Sequence, residues 1–196
     1  MPPRGLLKGI FHLAQLNSPG DVLSRGICYL SYMKLLAITS TTLLFSFIIF
    51  GVVRFGLLPS YSSYASKWGK VWGLPIWSVV TLLSAALIMP VLIEVMSPMF
   101  QFLGFLTPLY LIGVSLTPTW ETDPVVRKWH VILAGLCAAF GVAWLVFTMN
   151  IWLLVVPIVV SLVGVFTWSW KNNYVFWLEM IMFSSVYATA LFLLFA

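Results

Sequence analysis

The sequence predicts an all-α, polytopic integral membrane protein: a six-transmembrane-helix bundle preceded by a short N-terminal interfacial amphipathic helix. Three observations predict it. Of the 196 residues, 62% are hydrophobic and 8% are charged, with a mean hydropathy of +1.06, whereas soluble domains carry roughly 25% charged residues. The fifteen charged side chains leave 71–93, 95–120 and 129–170 without any Asp, Glu, Lys or Arg. The last of these runs is 42 residues long, enough for two bilayer crossings at about 20 residues each. A water-soluble fold is excluded on these grounds.

Residues 1–28 form the N-terminal interfacial segment and 29–196 the transmembrane domain. The opening Met1-Pro2-Pro3-Arg4 is followed by short apolar stretches broken by Lys8, His12 and Asp21, which argues against a cleavable secretory signal. Within 5–16, Leu6, Leu7, Ile10, Leu13 and Ala14 share one helical face and Lys8, His12 and Gln15 the other, the pattern of a helix lying in the interface. Asn17-Ser18-Pro19-Gly20 stops it.

The first crossing is expected at 35–53, between Lys34 and Arg54, whose stems can reach headgroups. Thr39, Ser40, Thr41 and Thr42 inside it suit bonds to carbonyls one turn back. The longest link, 55–73, is amphipathic and aromatic rather than a flexible tether. Crossings at 74–96 and 99–117 follow, joined tightly at Ser97-Pro98; the others are 130–148, 151–168 and 174–196. Pro90, Pro108 and Pro157 fall inside crossings, where each removes a backbone bond and bends the helix. Gly135 with Ala139, and Ala134 with Ala138, are small-residue pairs that suit close helix packing.

This alternation makes two unequal sides. Side A holds the N-terminus, the turns near Ser97 and Asn150, and the C-terminus; side B holds the other three links. Eight of the ten tryptophans, Trp68, Trp72, Trp77, Trp120, Trp129, Trp168, Trp170 and Trp177, fall at side B, as in an interfacial aromatic belt. Its expected rim comprises Trp68, Trp72, Trp120, Trp129 and Trp170. Side B carries Arg54, Lys67, Lys70, Arg127, Lys128 and Lys171, against Arg4, Lys8, Arg25 and Lys34 on side A. Six against four favours side B in the cytoplasm by the positive-inside rule. The net charge of +5 is scattered along the chain, so anionic lipid headgroups fit it better than nucleic acid does.

Few residues could carry chemistry. Glu179 stands five residues after Tyr174, about one and a half turns beneath side B at ~1.5 Å per residue. An ionisable group at that depth calls for a partner, a bundle interior or water. His130, at the side B mouth of the fourth crossing, is the candidate partner, with Asp123 near the same level. Such a group could relay protons, hold a polar ligand or headgroup, or simply join two helices. At side A, Lys34 and Glu94 share a level and could form an ion pair, or snorkel separately. Cys28 and Cys137 differ too much in depth for a disulfide. With two His, and neither His-x-x-His nor Cys-x-x-Cys, no metal site or cofactor is called for. Neither a nucleophile elbow nor a phosphate-binding Gly-rich loop is present, which disfavours an enzyme.

The layout of Leu58-Pro59-Ser60-Tyr61-Ser62-Ser63-Tyr64, then Leu111-Ile112-Gly113-Val114-Ser115-Leu116-Thr117-Pro118, then Trp129-His130-Val131-Ile132-Leu133-Ala134-Gly135 resembles the six-helix DRAM-like autophagy modulators and related bacterial membrane proteins of unassigned function. The resemblance spans about residues 35–195. It implies six helices with a cytoplasmic N-terminus, opposite to the charge count, and lends His130 a family-like position without a role.

Three functions follow as expectations. The first is a non-enzymatic membrane protein that binds lipid or a membrane partner, including a second copy of itself, through its aromatic loop-bearing face. The second is a small proton- or solute-coupled transporter or channel using Glu179 and His130. The third is an intramembrane lipid-modifying enzyme with His130 and Asp123 at headgroup level.

Overall fold

The computed structural model describes residues 19–71, 74–148 and 170–196, and the side chains of 26–71, 74–148 and 173–196. Pro19 opens α1 (Pro19–Phe55), a 37-residue helix. Proline suits a first helical position because the N–H it lacks would be unbonded there in any case. The apolar part, Gly26–Phe55, begins well before the expected Leu35. Lys34 does not mark a boundary: its ammonium lies 4.6 Å from the centre of the Phe195 ring, so the helix continues past it with the charge held against an aromatic face. Cys28, expected ahead of the crossing, is an exposed thiol on this helix. Gly56 ends α1 in the left-handed region at φ +76, a conformation that costs glycine nothing.

Four further segments have the length and composition of a crossing. They are α2 (Ile76–Glu94), Pro98–Ser115, in which a 3-10 turn at Pro98–Phe100 leads into α3 (Gln101–Ser115), α4 (Pro124–Phe147), and Asn173–Phe195 within α5 (Trp170–Phe195). Five candidate spans therefore stand among the described residues. The expected crossing at 151–168 and the interfacial helix at 5–16 lie outside them.

Helix α4 starts six residues before the expected His130. Asp123 is its cap, accepting N–H bonds from Val125 at 2.8 Å and Val126 at 3.2 Å, and Pro124 fills the first helical position. Helices α2 and α3 run on through Pro90 and Pro108. A two-residue antiparallel hairpin, β1 (Lys70–Val71) with β2 (Leu74–Pro75), leads into α2 in the register Lys70 to Pro75 and Val71 to Leu74.

The helices close a ring: α1 packs on α2, α2 on α3, α3 on α4, α4 on α5 and α5 back on α1. Three contacts set their spacing. Between α1 and α2, the Ser40 hydroxyl bonds the Ser84 carbonyl at 2.7 Å and the Ser84 hydroxyl bonds the Ser40 carbonyl at 3.2 Å. Tyr187 of α5 closes this knot 2.7 Å from the Ser84 hydroxyl. Ser40 thus reaches across to a neighbour, whereas Thr41 does bond one turn back, to Ala37 at 2.7 Å. Between α2 and α3, Gly104 rests on the backbone of Leu92. From α4, the buried Trp144 donates its indole N–H to the Leu92 carbonyl at 3.1 Å, satisfying an acceptor at the end of α2 that the helix itself leaves open. Gly135, by contrast, has no described atom within 4 Å of a Cβ placed on it.

Candidate functional site

The link after α1 folds into the mouth of the ring rather than along the interface. Phe55 to Ser66 contains no charged residue, so its side chains can be buried without ionic cost. Tyr61–Ser66 forms a 3-10 helix whose Tyr61, Ser62, Ser63, Tyr64 and Ala65 are all buried. Ser60 caps it, accepting the Ser63 N–H at 3.2 Å. Tyr64 donates its hydroxyl to the Gly56 carbonyl at 2.6 Å, and the Tyr61 hydroxyl lies 2.9 Å from that of Thr81. Burial pushes both phenols above their ordinary pKa, which keeps them protonated at physiological pH.

Two links fasten this turn to α5. Asn173 departs from helical geometry at φ −131, ψ 33, and three residues on Phe176 gives its N–H to the Pro59 carbonyl at 3.0 Å. One turn deeper, the Glu179 carboxylate accepts the Tyr61 N–H at 2.5 Å. That N–H is the first of the 3-10 turn, where donors lack partners inside the helix and negative charge is favoured. Glu179 makes no ion pair among the described residues.

Beneath the turn lies a cavity of about 200 Å³. α2, α3, α4 and α5 all contribute to its wall, and the turn supplies Tyr61 and Ser62. Glu179 is the sole charged residue among the described lining; Ser62, Thr107, Cys137 and Tyr187 add polar atoms, and the remainder is apolar or aromatic. The Cys137 thiol donates to the Thr107 carbonyl at 3.4 Å. Trp77, also in the wall, is fully buried, and its indole N–H has no acceptor among the described residues. Ala134 and Ala138, expected to serve helix packing, line this space too.

His130 and Glu179 occupy separate settings. The buried His130 ring has Nδ1 2.7 Å from the Thr117 hydroxyl and stacks on Trp120 with centroids 4.9 Å apart. Both partners belong to the link between α3 and α4. Arg127 also holds that link, donating to the Trp120 carbonyl at 3.1 Å and the Glu121 carbonyl at 2.6 Å. Asp123 serves the start of α4. Asp123→Ala is therefore expected to lower stability by about 1 kcal/mol, read as a small drop in thermal midpoint in detergent.

Lys34 and Glu94 also take separate partners. Glu94 accepts the Tyr29 hydroxyl at 3.0 Å, while Lys34 sits over Phe195. Of the expected rim, Trp129 is exposed and Trp120 half-buried. Trp68 is half-buried in an aromatic cluster, 4.6 Å from Phe47 and 5.4 Å from Phe50 between centroids. Trp72, Trp168 and the Trp170 side chain lie outside the described residues. Trp77, assigned to the belt, belongs to the core instead: it is one residue inside α2 and fully buried, its ring tilted at 53° against that of Tyr61. Among the described residues no three of His, Cys, Asp and Glu come together as a metal site would need.

No protein-family model, curated protein or solved structure matches this chain.

Proposed function

We propose that this chain is an integral membrane protein of six crossings, with the segment at 151–168 as the sixth, which binds a lipid-like molecule at its loop-bearing face without transforming it. The observation that carries this reading is the cavity beneath the Tyr61–Ser66 turn, apolar along its length with one carboxylate in its wall. A mostly apolar concavity with few polar groups is the usual form of a small-molecule site. Its volume exceeds the ~150 Å³ that admits a benzene-sized guest. The layout shared with the DRAM-like families supports a cytoplasmic N-terminus and six crossings. A second copy of the chain remains the simplest protein partner.

The test is native mass spectrometry after gentle extraction. The parent protein is expected to retain a lipid-like mass. Ala138→Trp, which fills the cavity from α4, is expected to lose that mass while circular dichroism still reports the helices. A protein that retains nothing, or an Ala138→Trp variant that retains as much as the parent, overturns the reading.

A transporter is the second reading, because the same cavity brings Glu179 next to space that a solute or proton could use. His130 is bonded to Thr117 and stacked on Trp120, so this reading rests on Glu179. Liposome flux that persists unchanged in Glu179→Gln would leave Glu179 without a transport role.

A further inference from the structure

Three features of the cavity specify its ligand more narrowly than lipid-like. The first is electrostatic. Glu179 holds one hydrogen bond and no counter-ion among the described residues. The described cations are committed elsewhere or stand at the rim: Lys34 lies over Phe195 and Arg127 bonds two carbonyls, while Arg54, Lys67, Lys70 and Lys128 are exposed. A carboxylate at such depth is costly without a positive partner.

The second feature is aromatic. Tyr61, whose N–H meets the carboxylate, has its ring 5.5 Å from the rings of both Trp77 and Phe183, and all three residues line the cavity with Glu179. Phe183 stands one turn below Glu179 on the same face of α5. Aromatic walls beside a carboxylate attract an organic cation through ring faces and charge together.

The third is shape. The lining extends along α2 from Trp77 to Leu92, about 22 Å along the axis at ~1.5 Å per residue. Spread over such a length, about 200 Å³ makes a narrow slot. The carboxylate and the aromatic group lie toward one end; Ile88, Leu92 and Val186 line the other.

We infer that the slot takes a single-chain amphiphile with an ammonium head, the head held by Glu179 among Tyr61, Trp77 and Phe183 and the chain running toward Leu92. This rests on the cavity being a binding site, as proposed above, and adds the charge and chain number of the occupant. The same ammonium occurs on double-chain aminophospholipids, but those carry a phosphate that Glu179 repels and a second chain beyond the one this slot is inferred to take.

The test uses the full chain in nanodiscs of uncharged galactolipid, which bring no ammonium of their own. Saturable binding above that of empty discs is measured for octylammonium, for 1-octanol as its neutral counterpart, and for a phosphatidylethanolamine doped into the disc. Octylammonium is expected to bind at least about tenfold more tightly than octanol, the preference an ion pair with ring contacts supplies. Glu179→Gln is expected to bring the two within about twofold of each other. Should that variant fail to fold, Phe183→Leu is expected to narrow the preference by a smaller factor with the carboxylate intact. Equal binding of octylammonium and octanol overturns the cationic head while leaving the cavity reading in place. Phosphatidylethanolamine binding as tightly as octylammonium overturns the single chain. Absence of saturable binding by all three overturns both the inference and the reading beneath it.

Discussion

Gly104→Ala is expected to be among the most damaging single-methyl changes in the protein. A Cβ at this position falls 2.4 Å from the Leu92 carbonyl oxygen, 2.6 Å from its carbon and 2.8 Å from the Ile93 nitrogen. All three are backbone atoms of α2, so no rotamer change relieves the overlap. The helices must separate where they are closest, and the Trp144 bond to the same Leu92 carbonyl is disturbed with them. Overpacking of this kind costs about 1–3 kcal/mol, and the rigidity of the opposing atoms puts Gly104→Ala at about 3 kcal/mol. Gly135→Ala is the matched control. With no described atom within 4 Å of its new methyl, it is expected to be neutral or to gain up to about 1 kcal/mol from helix propensity. Thermal unfolding of both variants in one detergent measures the contrast, and equal midpoints would refute the close approach of α2 and α3.

Tyr61→Ala is expected to cost about 3–5 kcal/mol, as truncation of a buried aromatic does. The ring is 2% exposed and contacts Trp77, Phe183 and Tyr64, so its removal leaves a hole continuous with the cavity below. Tyr61→Phe, which loses only the hydroxyl bond with Thr81, is expected to cost about 1 kcal/mol. The same unfolding measurement separates them. A Tyr61→Ala midpoint at the wild-type value would mean that the link rests on the surface, as its sequence suggests at first sight.

That link shows where the sequence was legible and where it was not. The crossings are written in the charge-free runs, because an ionised side chain facing hydrocarbon is too costly to be placed there casually; all five candidate spans overlap the crossings read from composition. Their ends are less legible, because local partners set them. Lys34 looks like an interfacial charge until Phe195, far along the chain, covers it. Asp123-Pro124 is a helix-start signal, and reading Asp123 as a headgroup contact overlooked it. The aromatic count at side B did not distinguish a belt from a plug. Trp77 and Tyr61 have the composition of interfacial residues, and only the packing of Tyr61 on Phe183 of α5, with Trp77 against Tyr61, shows them drawn inward.

The depth of Glu179 was readable from its position in the last helix, whereas its partner was not. The sequence pointed to a side chain, His130, because side chains are what a sequence displays. The acceptor's actual partner is a main-chain N–H, that of Tyr61, which every residue except proline carries and which leaves no trace in composition. The lack of charge between Phe55 and Ser66 was the available signal that this segment could be buried.

The bond between Tyr61 and Glu179 joins positions 118 residues apart, and the Pro59 carbonyl likewise awaits Phe176. A ribosome adding about 5–20 residues per second makes the first link roughly 6–24 s before the helix that receives it. During that interval the first amide of the turn lacks the acceptor that Glu179 later supplies. The mouth of the bundle is thus closed by a helix made long after the turn it holds, and the cavity stays open above until that helix arrives.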